Sequence, residues 1–291
     1  MGVLLGAVAY DPKVVTIWNG FRAWLREHLD FDYLLYSNYE RQVTDLVEGR
    51  IDVAWNSPLA WVRARRLAAA RGAALTPVTM RDTDCDLRSV IVVRADSPVM
   101  SVGDLAGRVV ATGAVDSPQA TLLPLSLLRS VGLVPGTDVT VRRFDIGVGL
   151  HGDHIGGERD AARALFAASP ADRVDAACMI DSNLLLFGRE GVLPAGSVRV
   201  LAQTPAYDHC TMTAGPSAAA DGSGHAAISR FGALLRGMDY ADAGLRPLLD
   251  LEGLKEWRPP RLSGYEQLER AVDEAGFYGE SGEIAAADYR P

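Results

Sequence analysis

The sequence is short of basic charge, of cysteine and of long apolar runs, and each shortage removes a class of function. With 29 Lys and Arg against 37 Asp and Glu, its formal net charge is -8. Proteins that hold nucleic acid or an anionic membrane surface do so with clustered Lys and Arg, so neither is expected as a partner. The three cysteines, Cys85, Cys178 and Cys210, are odd in number and lack C-x-x-C spacing. This argues against a disulfide framework or a zinc ribbon and suits a reducing compartment. The apolar start, Val3 to Ala9, is far shorter than the roughly 20 residues of a membrane-spanning helix, and no basic segment precedes it. It reads as a first strand, with no membrane insertion. The location expected as written is cytoplasmic, or exported if a leader has been removed. Solenoid-length repeats and low-complexity tracts are absent, and the glycines at 147, 149, 152, 156 and 157 form no G-x-G-x-x-G nucleotide fingerprint.

What is present is ample apolar content, 48% of 291 residues, enough for two compact domains. Three times an apolar run ends in an acidic or amide residue followed by serine and a helix starter: Trp55-Asn56-Ser57-Pro58, Val115-Asp116-Ser117-Pro118 and Ile180-Asp181-Ser182-Asn183. Each reads as a strand delivering the chain into a capped helix. A serine oxygen accepts from the unpaired N–H groups of the first turn, and proline has no N–H to lose there. Where such ends converge in an open α/β sheet, several helix N-termini meet in one crevice and favour an anion. The expected ligand is therefore a small anion.

The order of elements agrees with an α/β sheet. Val14, Trp18, Phe21 and Leu25 recur at helical spacing after the first strand, and Phe31 to Tyr36 reads as a second strand. Ser37 with Glu40 has the form of a capping box, Gly49 ends that helix, and Ile51 to Trp55 forms a strand before the helix from Pro58 to Ala70. A second α/β unit follows Leu87 to Val93, with strands at 108–111, 139–144, 175–179 and 197–202. Two crossings between lobes are expected, near 84–90 and 202–208. The expected division is residues 1–85 and 206–291 in one lobe and 86–205 in the other.

The segments Leu35-Tyr36-Ser37-Asn38-Tyr39-Glu40, Gly49-Arg50-Ile51-Asp52-Val53-Ala54-Trp55, Asp116-Ser117-Pro118-Gln119, Arg173-Val174-Asp175-Ala176-Ala177 and Tyr207-Asp208-His209-Cys210-Thr211 resemble the phosphate/phosphonate-binding (PhnD-like) family of solute-binding proteins. The resemblance covers almost the whole chain. It implies a two-lobed type 2 periplasmic-binding fold with mostly parallel sheets, joined by two crossover strands and closing on a ligand like a hinge. It places ligand contacts at Tyr39, Asn56, Ser57, Ser117, His151 or His154, Asp181 and Ser182. A departure lies on the anion loop, where the family places several Ser or Thr residues and this chain has Pro118, Gln119 and Ala120 after Ser117. Fewer hydroxyls and one missing N–H serve a doubly charged phosphonate less well, so a carboxylate or an amide-bearing ligand met by Gln119 competes.

Tyr10 and Tyr39 fall just after strand ends, where a parallel sheet opens its crevice, and Trp55 belongs to the same aromatic group. The densest polar cluster runs from His151 to Glu158 and contains Asp153 and His154. His151, His154 and Glu158 can take a divalent transition metal, completed by Asp181 or His209. The plainer alternative is a polar loop in which Glu158 caps the next helix and one histidine donates to a ligand. His209 and Cys210 sit side by side on an expected strand, which would turn them to opposite faces, the histidine to the cleft and the thiol inward. Two functions stay open. One is a receptor for a small anion, with an ABC transporter permease as partner. The other is a cytoplasmic enzyme using His151, His154 and Asp181, with or without metal, for lyase, decarboxylase or oxidative chemistry on a small organic acid.

Overall fold

The computed structural model describes residues 2–145, 155–220, 222–289 and 291. Within them the chain alternates β1 (Val3–Val8), α1 (Lys13–Leu25), β2 (Phe31–Tyr36), α2 (Tyr39–Val47), β3 (Val53–Asn56), α3 (Pro58–Ala70) and β4 (Thr76–Arg81). Then follow β5 (Ser89–Arg94), β6 (Val109–Thr112), α4 (Leu123–Ser130), β7 (Thr140–Arg143), α5 (Ile155–Ala164), β8 (Ala176–Ile180), α6 (Asp181–Arg189) and β9 (Val198–Gln203). The return comprises β10 (Thr211–Ala214), α7 (Pro216–Ala220), α8 (Gly222–Arg236), α9 (Arg246–Glu252), β11 (Trp257–Arg258) and α10 (Glu266–Ala275).

Two sheets result, as the type 2 periplasmic-binding fold requires. One has the order β11-β4-β10-β3-β1-β2, the other β7-β6-β8-β5-β9. β1 pairs in parallel with β2 and β3, and β6 does so with β7 and β8. Against the rest run β10 in the first sheet and β5 in the second, which the chain enters after crossing between sheets, and the short edge strand β11, antiparallel to β4. Strands buried on both faces are almost wholly apolar, as in Ala176–Ile180 and in Val53–Asn56, where Asn56 alone is polar. The first core gathers Val14, Trp18, Phe21 and Leu25 of α1 with Trp257 of β11.

Local capping follows the sequence at two of three junctions. Ser57 Oγ accepts from Ala60 N at 3.2 Å, and Ser117 Oγ accepts from Ala120 N at 3.1 Å. Ser182 does not cap: α6 starts one residue earlier, and Asp181 Oδ1 accepts from the Ser182 amide at 2.8 Å. Nor does Ser37 form a capping box. Asn38 takes that place, with extended backbone and its side-chain oxygen accepting from Arg41 N at 2.9 Å.

The two crossings lie side by side. Leu87 and Tyr207 exchange backbone hydrogen bonds of 2.9 and 2.8 Å. Between them sits the fully buried carboxylate of Asp208, which accepts from Arg261 Nε at 2.6 Å and Nη2 at 2.5 Å and from Asp86 N at 3.1 Å. Asp86 is the one non-glycine residue at positive φ (60°) among the described residues, so Asp208 stabilises a turn that its backbone disfavours. Asp208→Ala is expected to cost about 2 kcal/mol through the charged hydrogen bonds lost. Gly264→Ala should be damaging for the same reason, since its Cβ would stand 2.1 Å from Asp208 Oδ2. Calorimetric unfolding midpoints of both variants several degrees below wild type check this; unchanged midpoints reject it.

Candidate functional site

The parallel strands β1, β3 and β4 end on one side of the first sheet, and a cavity of about 100 Å³ opens there. Tyr10 stands just after β1, Trp55 lies in β3, Ser57 heads α3 and Arg81 ends β4. His209 and Cys210, just before β10, complete that wall. Asp116 and Pro118, from the loop after β6, face them, and Tyr278 and Tyr289 of the C-terminal tail close one side.

Charge in this cavity is organised by Asp84. Its Oδ2 accepts from Arg81 Nε at 2.6 Å, and its Oδ1 accepts from Arg81 Nη2 at 3.0 Å and from Cys210 N at 3.2 Å. Burial opposes that negative charge, but Arg81 and His209 outweigh burial and hold the carboxyl at about 2. Arg81 also donates through Nη1 to the Glu252 carbonyl at 2.8 Å, and its guanidinium lies 5.2 Å from the Trp55 ring centre. Burial pushes the Glu252 carboxyl up to about 7 despite Arg81. His209 Nδ1 stands 3.6 Å from Asp84 Oδ1 and 3.1 Å from Cys210 Sγ. Burial disfavours an imidazolium, yet Cys210 and Asp84 prevail and push His209 up to about 10, so the ring is cationic at neutral pH. Tyr10 and Tyr39 are raised above their ordinary value, first by burial, and present neutral hydroxyls.

Of the residues singled out from sequence, Tyr10, Tyr39, Ser57 and His209 line the cavity. Asn56 is buried behind the wall, its Oδ1 accepting from Gln42 Nε2 at 3.1 Å. Ser117 is buried, its hydroxyl already used as a cap, and Gln119 lies buried in the π-helical turn Pro118–Leu122 that follows. Asp181 and Ser182 open α6 and do not line the cavity. Glu158 is inside α5, not capping it from outside. Its Oε2 accepts from Ile180 N at 2.9 Å and Asn183 Nδ2 at 2.8 Å, and burial pushes it up to about 7. His151, Asp153 and His154 lie outside the described residues. His209 and Cys210 do not point to opposite faces, because they precede β10 and are not pleated.

Sequence reasoning missed Arg81, Asp84, Glu252, Tyr278 and Tyr289. Asp84, His209 and Cys210 bring donor atoms within 4.8 Å of one another, a spacing a metal can use. Both Asp84 oxygens already accept from Arg81, whose charge opposes a cation, so the trio reads as an ion-pair network.

The family described as "ABC transporter, phosphonate, periplasmic substrate-binding protein" matches residues 7–265, and the chain belongs to it. Its fold is shared with PhnD1 from Prochlorococcus marinus in complex with methylphosphonate, at TM-score 0.65 and 17% identity over 94% of this chain and 98% of that one. XAC2383 from Xanthomonas citri, bound to ATP, is similar at TM-score 0.66 and 17% identity, covering 94% and 97% of the two chains. The periplasmic aliphatic sulphonate binding protein SsuA from Escherichia coli follows at TM-score 0.55 and 19% identity, covering 94% and 87%. The family's periplasmic description supports the exported alternative and lends nothing to a cytoplasmic location. Among the described residues no helix is long and apolar enough to cross a membrane. None of the three cysteines is paired, and Cys178 and Cys210 are buried.

The titrating groups make stability depend on pH in a definite direction. Folded chains keep protons on Glu158 and Glu252 up to about 7, whereas unfolded chains release them near the ordinary 4.5. Their contribution is therefore complete below about 4.5 and lost as pH rises to about 7. His209, raised from 6.5 to about 10, contributes stability that is lost between those values. Urea midpoints should decline through both windows, with Glu158→Gln flattening the lower one and His209→Gln the upper. Wild-type midpoints rising steadily across both windows would contradict these charge states.

Proposed function

We propose that the protein is a solute receptor that holds one small anion in this cavity and presents it to an ABC transporter permease outside the cytoplasm. The observation that carries the reading is the convergence of the Ser57-capped N-terminus of α3 with the cationic His209 and the Arg81 guanidinium around one cavity. Residues 1–85 with 206–291 and residues 86–205 act as its two lobes, hinged at the paired crossings of Leu87 and Tyr207. The second wall supports a small, singly charged ligand. Pro118 brings no N–H, Ser117 is buried away from the cavity lining, Asp116 adds negative charge rather than a donor, and Tyr278 and Tyr289 make up much of the rest. A carboxylate or a phosphonate-like monoanion fits this donor supply, and the cavity has room for one small molecule.

Isothermal titration with methylphosphonate, methanesulfonate, phosphate and short carboxylates tests the proposal. At least one monoanion should bind with one-site stoichiometry, and His209→Gln should weaken it about tenfold or more through loss of a charge-assisted donor. Absence of binding by every member of the panel, or binding indifferent to His209, rejects it.

One observation favours an enzymatic reading of the same cavity: a thiol 3.1 Å from an imidazole, with both residues on the wall. If Cys210 is a nucleophile, iodoacetamide should alkylate it at neutral pH much faster than the half-buried Cys85. Labelling no faster than Cys85 rejects that role.

A further inference from the structure

The cavity is closed on one side by a segment that lies beyond residues 7–265, the part of the chain that matches the family. After α10 the tail turns back in a short hairpin, with Tyr278 bridged to Ile284 and the amides of Ala285 and Ala286 both donating to the Phe277 carbonyl, at 3.0 and 3.2 Å. It is seated on α3 of the first sheet. Arg63 Nε donates to the Gly282 carbonyl at 3.0 Å, and Arg66 Nη1 donates to the Tyr278 carbonyl at 3.1 Å. The seat requires glycine: Gly282 has φ 81°, and a Cβ there would stand 3.0 Å from both the Arg63 carbonyl oxygen and Leu67 Cγ. Farther along, Tyr289 donates its hydroxyl to Glu40 Oε1 at 2.7 Å, again on the first sheet's side. The residue before it reaches the other way, since Asp288 pairs with Arg143 of β7 in the second sheet. Phe277, Tyr278 and Tyr289 pack in one apolar cluster with Leu59 and Trp61 of α3 and with Leu122 and Ile180 on the second sheet's side.

From this arrangement we infer that residues 276–289 are a strap that spans the cleft and supplies two residues of the ligand site, Tyr278 and Tyr289. The ligand class it helps to select is the small monoanion proposed above, and this part of the inference rests on that reading. A wall of two buried tyrosines limits the length of whatever substituent the anion carries. Because the strap grips both sides of the cleft, the two sides can part to pass a ligand only when it lets go of one of them. The weaker grip is the Asp288–Arg143 pair, with side chains 51% and 36% exposed, since exposed ion pairs are worth little. The firmer one is the buried Tyr289–Glu40 hydrogen bond.

Two variants keep the fold and cut one grip each: Arg143→Ala and Tyr289→Phe. A chain ending at Ala275 removes the strap altogether and serves as a third. Hydrogen exchange of the Ala285 and Ala286 amides and the radius of gyration from small-angle scattering are read on ligand-free protein, so these readouts are independent of any ligand. Exchange is expected to quicken up to about fivefold in Arg143→Ala and about tenfold or more in Tyr289→Phe, with a larger radius of gyration in the truncated chain. Stopped-flow association of methylphosphonate, followed by tryptophan fluorescence, should quicken in both point variants. If exchange in both point variants equals wild type, the strap is not holding the cleft and the inference falls. Should wild type fail to bind methylphosphonate while exchange still responds, the strap stands and the ligand reading above is what fails. Binding with wild-type rates in all three chains would remove Tyr278 and Tyr289 from the ligand site and overturn the inference.

Discussion

The position of every cationic group in the cavity depends on the carboxylate of Asp84. It lies at the start of the first crossing, and it takes the guanidinium of Arg81 from the end of β4 and the amide of Cys210 from the second crossing. The Asp84 carbonyl also accepts from His209 N at 2.8 Å, so the two crossings are joined by main chain as well as side chain. A buried ion pair contributes little net stability, because desolvation offsets the attraction, but removing one partner strands a charge and is costly. Its value here is positional. With Arg81 fixed over Trp55, and His209 fixed beside Asp84, positive charge stays at the strand ends without any movement when an anion arrives.

Charge bookkeeping around Arg81 explains why His209 matters more than its size suggests. Asp84 is ionised and neutralises Arg81, whereas Glu252, whose carboxyl is pushed up to about 7, holds its proton for much of the time near neutrality. If both acids were ionised, Arg81 would be overcompensated and the cavity would repel the ligand. Burial of Glu252 beside a helix end prevents that, and His209, pushed up to about 10 by Cys210 and Asp84, joins Arg81 as the second cationic group of this wall. An anion that binds here therefore reads a proton as well as a guanidinium.

Much of the fold could be read locally. Phe31 to Tyr36 and Pro58 to Ala70 have in the structure the bounds their patterns imply, because a short aromatic and aliphatic run and the Ser-Pro start are properties of neighbouring residues. The capping of α2 shows the limit of that reading. Ser37 and Glu40 have the spacing of a reciprocal cap, but Glu40 turns inward to Tyr289, a partner 249 residues away, and Asn38 caps in its place. His209 and Cys210 show the same limit, since alternation predicts opposite faces only once the chain has entered a sheet, and β10 begins one residue later. Arg81 and Asp84 were visible as charges but not as a site, because their meaning comes from a contact with residue 210 that no local pattern encodes.

The tail carries this point furthest. Phe277, Tyr278 and Tyr289 lie among glycines and acidic residues, and nothing in that local composition marks them as part of a site. All three are buried. The cluster they join includes residues on both sides of the cleft, so the free energy of burying them falls partly on the contact between sheets. A receptor hinged only at Leu87 and Tyr207 would swing on two strands. One that also buries its tail across the opening must expose apolar surface to swing, and the gap between its open and closed states is then set by aromatic packing at the cavity mouth as well as by the ligand inside.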